Sequence, residues 1–395
     1  MLNDINITKL SGGLGRREPN NDMVSALVAN GVAVSGGVQL NTVYRLNSLN
    51  DAIALKIDAS YDSTNNILLY EHIKEYFRIN PSGELWLLVP AQSVSYADMV
   101  DKTNVNGAKK VLNEAEGKIR LLAVAYNPSI PVSDFSDTQA AITKAQELAV
   151  DEYNNHRPIE VLLEGKGFSL TNQTNLRNLN APNVAVMVGQ NLAIANAHTN
   201  FNSYAAIGTL LGAVSKASVN ECVAWVEKFN VLGDNLTVPA IAKTKFSDIA
   251  AGVVNTTNDN GYIFFRTHTG KAGIYFNDSF TCTSLTDDYA YIENNRTVHK
   301  AVRNIRTVLL PRLAMPVNIN PNDGTISPEI IKQFENDGKR ALEQMISDGE
   351  ISSMDILIDP FQNILATSEL KVQFSIVPTG TARKINVTIG FNNLF

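Results

Sequence analysis

The sequence predicts an α/β protein: a mostly parallel, Rossmann-like layer comes first, followed by an α+β domain whose terminal strands are available for exchange. Three patterns lead there. From Asp22 to about Gly189, continuous apolar runs alternate with helical periodicity; from about Ser284 onward, two amphipathic helices precede two stretches of strict apolar/polar alternation. Near the start, Ile5 and Ile7 alternate with Asn6 and Thr8 ahead of a glycine-rich break. The chain therefore divides into an N-terminal arm over 1–20, an α/β domain over 21–190, a helix and strand middle region over 191–283, and a C-terminal domain with a terminal strand arm over 284–395.

The arm reads as one short strand followed by a hinge at Gly12, Gly13 and Gly15. Such a strand cannot bury its apolar side alone, so it joins this chain's own sheet or reaches a neighbour. In the α/β domain, strand-like runs fall at 24–29, 85–89, 119–126, 159–163 and 184–188, with helical patterns at 49–57, 68–77, 108–115 and 138–153. Strands that are apolar throughout need cover on both faces, which is the mark of a parallel sheet between helices. The middle region is weaker in signal. Ala205 to Lys216 is small and apolar, with Gly208 and Gly212 four apart, and predicts a closely packed helix. A second helix is expected over 223–229, a polar loop over 252–260, and strands at 262–265 and 274–276.

The last third carries the sharpest patterns. Ile292, Val298, Val302, Ile305 and Leu309 recur at helical spacing, with Arg296, Lys300, Arg303 and Arg306 mostly on the other side, and Pro311 ends the helix. That basic side is expected to be exposed. Ser327-Pro328-Glu329 supplies an N-cap, an N1 proline and an early acid for a helix with Ile331, Phe334, Leu342 and Met345 on its apolar side, stopping near Gly349. After it, Val372, Phe374 and Ile376 alternate with polar residues, Pro378-Thr379-Gly380 turns the chain, and Ile385, Val387, Ile389 and Phe391 alternate again. The pattern predicts a hairpin-like pair with one apolar face. Nothing downstream covers the edge of its last strand, and an open edge is a template for pairing.

These residues carry a resemblance. Tyr289 to Arg303 (YAYIENNRTVHKAVR), Gly349 to Ser352 (GEIS), Ile358-Asp359-Pro360 and Ile376 to Ile385 (IVPTGTARKI) resemble, in order and spacing, the C-terminal domain of contractile tail sheath proteins of phages and related injection machines. His156 to Gly165 and Gly208 to Ser215 extend the likeness to a compact sheath-like branch. The resemblance implies a structural subunit that polymerises around a tail tube and contracts to drive it through a target envelope. It implies assembly in a bacterial host cytoplasm, a place in the virion tail, and as partners other copies of the chain, the tail tube protein, and baseplate and tail terminator proteins. A sheath of a non-phage contractile injection system is the near alternative, and a small-ligand-binding α/β protein the distant one. On this reading Ile5, Ile7, Ile385, Val387, Ile389 and Phe391 are exchanged between subunits. Arg296, Lys300, Arg303 and Arg306 on one helix, or Lys332, Lys339 and Arg340 on the next, face the tube or a neighbour, and the sequence does not choose between them. Gly12, Gly13, Gly15 and Gly349, with the loop around Asp359-Pro360, are the hinge candidates.

The bulk numbers agree with a structural role. With 395 residues, 44% hydrophobic and 18% charged, the chain can bury a large core in two or three lobes. A net charge of -6 argues against broad nucleic-acid binding. Cys222 and Cys282 have no metal-ligand spacing and are expected as reduced, buried thiols. The N-terminus lacks the charged and apolar regions of a signal peptide, and no apolar run reaches the roughly 18 residues of a membrane span, so a cytoplasmic protein without membrane insertion is expected.

Chemistry is sparse. Gly12-Gly13-Leu14-Gly15 precedes the first strong strand and lacks a dinucleotide frame, and Glu164-Gly165-Lys166-Gly167-Phe168 is not a phosphate-binding loop. His72, His156, His198, His268 and His299 are scattered outside any metal-binding frame, and Asp287-Asp288 reads as acid favourable at a helix N-terminus. No catalytic residue, cofactor or metal is expected.

Overall fold

A computed structural model describes residues 22–234, 236–320 and 324–391, so the predicted arm with Ile5, Ile7, Gly12, Gly13 and Gly15 lies outside the described residues. All five apolar runs of the α/β domain become strands of one sheet. In chain order the layer is β1 (Ser25–Ala29), β2 (Val43–Leu46), α1 (Leu49–Ala54), α2 (Ala59–Asn65), α3 (Leu69–Ile79), β3 (Leu85–Leu88), α4 (Tyr96–Val100), α5 (Ala108–Glu114), β4 (Leu121–Ala125), α6 (Ser136–Asn154), β5 (Glu160–Glu164) and β6 (Val184–Met187). The strand order is β2-β3-β1-β4-β5-β6. β2 is antiparallel to β3, and every other pairing is parallel.

The middle region adds β7 (Gly189–Asn191), α7 (Leu192–Ala197), α8 (Ile207–Lys216), β8 (Pro239–Ile241), β9 (Thr244–Lys245), α9 (Ala251–Asp259), β10 (Phe265–His268) and β11 (Lys271–Phe276). Strand alternation splits the core by face. Leu27, Leu121 and Ala123 pack with α3, α8 and the aromatic side of β10 and β11, while Ala26, Val28, Leu122 and Val124 pack with α4, α5 and α6. Burying each such Leu or Val contributes about 1.5 to 3 kcal/mol, which explains why both faces must be apolar. The helix predicted around Gly208 and Gly212 lies against α3 so closely that a Cβ at Gly208 would sit 2.1 Å from the His72 carbonyl oxygen.

Two expectations here are corrected. Residues 252–260 are not a polar loop but most of α9, where the Thr256 and Thr257 hydroxyls, which would otherwise compete with the helix, donate to the i−4 carbonyls of Gly252 and Val253 at 3.0 and 2.9 Å. Residues 223–229 form consecutive turns, not a helix, closed by bonds such as Trp225 N to the Cys222 carbonyl at 3.1 Å and Lys228 N to that of Trp225 at 3.1 Å. The strand expected at 262–265 begins only at Phe265. Ile263 instead bridges the outer side of β6, donating to Val186 O and accepting from Val188 N.

The C-terminal region comprises α10 (Ile292–Leu309), α11 (Pro328–Ser347), β12 (Ile351–Leu357), α12 (Ile364–Thr367) and β13 (Gln373–Pro378). The predicted hairpin is corrected. β13 pairs antiparallel with β12, a segment the sequence pattern leaves as loop, through Ile356 with Phe374 and Met354 with Ile376. Residues 385–391 form neither strand nor helix. The reason is packing: Phe374 and Ile376 turn onto Ala341, Leu342 and Met345 of α11, and that small core is then filled. Among the described residues no layer covers the next apolar face. Ile385, Val387, Ile389 and Phe391 are accordingly 79%, 82%, 94% and 111% exposed.

Candidate functional site

The C-terminal ends of the parallel strands, where an α/β enzyme would hold its substrate, are closed by the chain's own polar groups. Between β1 and β4 the Asn30 amide donates to the carbonyls of Ala91 and Val94 at 2.9 and 3.1 Å and accepts from Asn127 N at 3.1 Å. After β5 the Lys166 ammonium is buried against the Glu164 carboxylate at 3.2 Å, and that carboxylate also accepts from Tyr126 N and Ala205 N at 2.8 Å each. Gly165-Lys166-Gly167 is thus an internally committed turn: a Cβ at Gly167 would fall 1.7 Å from the Asp134 carbonyl oxygen. His72 is buried in the core under α8, and burial followed by the Lys166 charge pushes its imidazole down to about 3. Both cysteines are free and buried, and burial, with Glu293 and Asp278 nearby, pushes the Cys222 thiol up to about 12. Asp287 accepts from Tyr289 N at 2.8 Å in the turn before α10. Among the described residues no group of three or more His, Cys, Asp or Glu is arranged to hold a metal ion, and no helix is long and apolar enough to cross a membrane.

The basic side of α10 does not face solvent, contrary to expectation. Arg296 is 5% exposed and donates to the carbonyls of Ala217 and Ser218 at 3.1 and 3.2 Å. Lys300 meets Asp22 at 3.1 Å and Glu350 at 2.5 Å, and Arg303 also binds Asp22. Only Arg306 of the four is exposed. Periodicity separates a charged from an apolar side, but it does not report whether complementary charge covers the charged one. Here α10 is sandwiched. Ala301, Ile305 and Val308 meet α11 and the small sheet, while His299 and Asn295 meet Glu160, Pro182 and Asn183 of the body.

The two ends of the described chain leave the body beside this helix. Asp22 ties the N-terminal end to Lys300 and Arg303. At the other end the Arg383 guanidinium lies 3.4 Å over the Tyr291 ring, donates to Asp278 at 3.0 Å and binds Glu293. Glu293 and Glu350 lie in the conspicuous stretches 289–303 and 349–352, whereas Asp22 and Asp278 do not stand out in the sequence. The signal for the Arg383 contacts is the proximity of Glu293 to the conspicuous Arg296, and of Arg383 to the alternating tail.

The family models for the DUF2586 N-terminal and C-terminal domains match residues 2–280 and 288–395. The chain belongs to the DUF2586 family. No curated protein sequence matches it. Among solved structures, this DUF2586 chain is similar to the contracted helical sheath of the anti-feeding prophage at 17% identity and TM-score 0.64, covering 98% of this chain and 100% of that one. It is similar to the contracted sheath complex of an extracellular contractile injection system, PVC, at 13% identity and TM-score 0.62, covering 99% and 98%. A sheath tail protein from Desulfitobacterium hafniense matches at 11% identity and TM-score 0.52, covering 95% and 100%. The DUF2586 chain therefore has the fold of contractile sheath proteins.

The outward side of α11 presents Lys332, Lys339 and Arg340, all exposed. Lys332 pairs with Glu335 at 2.8 Å and Arg340 with Asp337 at 2.8 Å, in the open manner of surface pairs. Gly349, at φ +70, ends the helix, and its carbonyl accepts from Asn220 Nδ2 and Thr379 Oγ1 at 2.9 Å each.

Proposed function

We propose that this DUF2586 chain is the sheath subunit of a contractile tail, polymerising around a tube and contracting to drive the tube through a target envelope. The observation that carries the reading is the end-to-end match to a helical sheath subunit, which spans 98% of this chain and 100% of the other. A head-to-tail contact that does not close on itself builds such a helical polymer. The second reading, a non-phage injection system, draws support from the higher TM-scores of 0.64 and 0.62 to the anti-feeding prophage and PVC sheaths than of 0.52 to the sheath tail protein. A DUF2586 particle carrying a DNA-filled head would decide for the phage.

In this reading, residues 21–190 form a doubly wound layer, 191–283 complete its core on one face, and 284–395 assemble the polymer. Residues 385–391 add as a strand to the β12 and β13 sheet of another copy, and the arm with Ile5 and Ile7 does likewise. Burying Ile385, Val387, Ile389 and Phe391 would yield about 1.5 to 3 kcal/mol each. Association costs on the order of 4 to 15 kcal/mol, so one exchange is weak, and repetition along a polymer makes it strong. Tube contact falls to Lys332, Lys339 and Arg340 of α11, since α10 spends its charges inside the subunit; Arg306 remains available to a neighbour. Contraction needs two packings of nearly rigid subunits, with Gly349 and the glycines of the arm as joints. The chemistry is structural and non-enzymatic, the subunit is made in the bacterial cytoplasm, and baseplate and terminator proteins bound the polymer.

The test is negative-stain electron microscopy of the full chain and of a chain ending at Ala382, each alone and with the tube protein. Tubes or stacked rings formed only by the full chain are expected. Uniform monomers of the full chain in the presence of tube and baseplate would overturn the reading.

A further inference from the structure

We propose that Asp278, Glu293 and Tyr291 form a receptor for the Arg383 guanidinium that fixes where residues 385–391 leave the subunit, making Arg383 the positioning residue of the donated strand. The inference rests on the strand-donation reading and adds to it a site within the donor.

The geometry is that of a built guanidinium site. Arg383 lies 90 residues from Glu293 and 105 from Asp278 in sequence, so the contact is tertiary and joins the tail to the body. Its Nε donates to Asp278 at 3.0 Å, a terminal nitrogen binds Glu293, and Cζ lies 3.4 Å from the centre of the Tyr291 ring. Glu293 is held in turn by the Ser279 hydroxyl at 2.5 Å, and both are buried. Two acids on the adjacent Nε and Nη2 donors of one planar guanidinium, with an aromatic ring beneath, match arginine and not lysine, whose point charge offers no planar group to set over the ring while meeting both acids.

The position of the anchor explains its use. β13 ends at Pro378, and the exposed alternating stretch starts at Ile385. A free linker of the intervening residues would spread the strand's start over roughly 13 Å. With Arg383 held, only Lys384 separates a fixed point from the strand. Shortening a tether this way raises the strand's effective concentration at a correctly placed edge by about tenfold. At the opposite end of the described chain, Asp22 is tied to Lys300 and Arg303 of the same helix. Both ends thus depart from α10, whose spacing between Glu293 and Arg303 is rigid.

The test is pulsed spin-label distance measurement on the unassembled full chain, labelled at Asn386→Cys and Lys271→Cys. Both positions are exposed, and the native thiols are buried. One narrow distance population is expected for the native anchor. Arg383→Ala and the double variant Asp278→Asn, Glu293→Gln should broaden it at least twofold, with Arg383→Lys between. Equal widths in native and Arg383→Ala chains would overturn the proposal; should Arg383→Ala fail to fold, Tyr291→Leu and Arg383→Lys give the same comparison. Assembly separates this inference from its premise. A chain ending at Lys384 that polymerises normally refutes strand donation. If that truncation abolishes polymers while Arg383→Ala forms them at the native concentration, donation stands and the anchor falls; an approximately tenfold higher concentration requirement supports the anchor.

Discussion

In the six-stranded sheet the outer side of β6 is met by Ile263, whose main chain bonds Val186 and Val188. In the two-stranded sheet no third strand joins β12 or β13 among the described residues, while Ile385, Val387, Ile389 and Phe391 stand exposed a few residues beyond β13. The first region caps its β6 edge with its own chain. The second has an open two-stranded sheet and, beyond it, an exposed alternating segment that joins no sheet among the described residues. Stability should therefore reside in the body and assembly in the C-terminal region, and substitutions can test how cleanly the two divide.

A large stability effect is expected where α3 and α8 pack closest. Gly208→Ala would drive a Cβ against the His72 carbonyl, and backbone cannot yield as a side-chain tip can. We expect a loss of at least about 3 kcal/mol, read as a lower urea midpoint. An unchanged midpoint would mean α3 and α8 separate easily, and the contrast between the regions would weaken. Arg296 lies between the two regions. Arg296→Met keeps the volume but strands the Ala217 and Ser218 carbonyls, which accept from it now. A loss of roughly 2 to 3 kcal/mol is expected, measured by the same unfolding curve.

That arginine also marks where the sequence stops being legible. The five parallel strands could be read because burial on both faces writes continuous apolar runs, and α11 because Ser327 and Pro328 announce its start. β12 could not: Ile351-Ser352-Ser353-Met354-Asp355 is half polar and buries only one end, so it resembles a loop. The tail reads as two alternating segments paired with each other because local turn chemistry favours a hairpin; only the first becomes a strand, and its partner is β12. The charged side of α10 looked exposed because its partners Asp22 and Glu350 are remote in sequence. The Arg383 receptor was invisible for the same reason, being assembled from positions 278, 291 and 293.

A smaller, pH-dependent effect is expected from His299, on the body side of α10. Burial, then the charges of Arg303, Arg120 and Arg296, push its imidazole from 6.5 down to about 3. Glu160 lies 3.7 Å away, but burial pushes its own carboxyl well up, so it offers no charge to hold an imidazolium. Below 6.5 the unfolded chain takes up a proton that the folded chain refuses, so stability is full above that pH and declines as pH falls toward about 3. The decline is about 1.4 kcal/mol per pH unit, or roughly 2 kcal/mol by about pH 5. His299→Gln should lessen that acid slope by one proton, measured by urea unfolding at several pH values. An unaltered slope would place the proton uptake elsewhere.

The smallest effect on stability should accompany one of the largest on assembly. Lys339 and Arg340 are exposed on α11, and the Arg340 side chain is 66% exposed even while paired to Asp337. Such pairs are worth at most about 1 kcal/mol, and Asp337 keeps a second partner in Arg312 at 2.8 Å. Lys339→Glu with Arg340→Glu should therefore shift unfolding by no more than about 1 kcal/mol. If α11 meets an acidic tube, reversing two charges there replaces attraction with repulsion, and tube-templated polymerisation should be lost while strand exchange in tube-free polymers persists. Arg306→Glu on α10 is the control, since Arg306 is exposed while Arg296, Lys300 and Arg303 of that helix are engaged within the subunit. Loss of tube templating from Arg306→Glu alone, with the α11 variant normal, would move the tube contact to the end of α10.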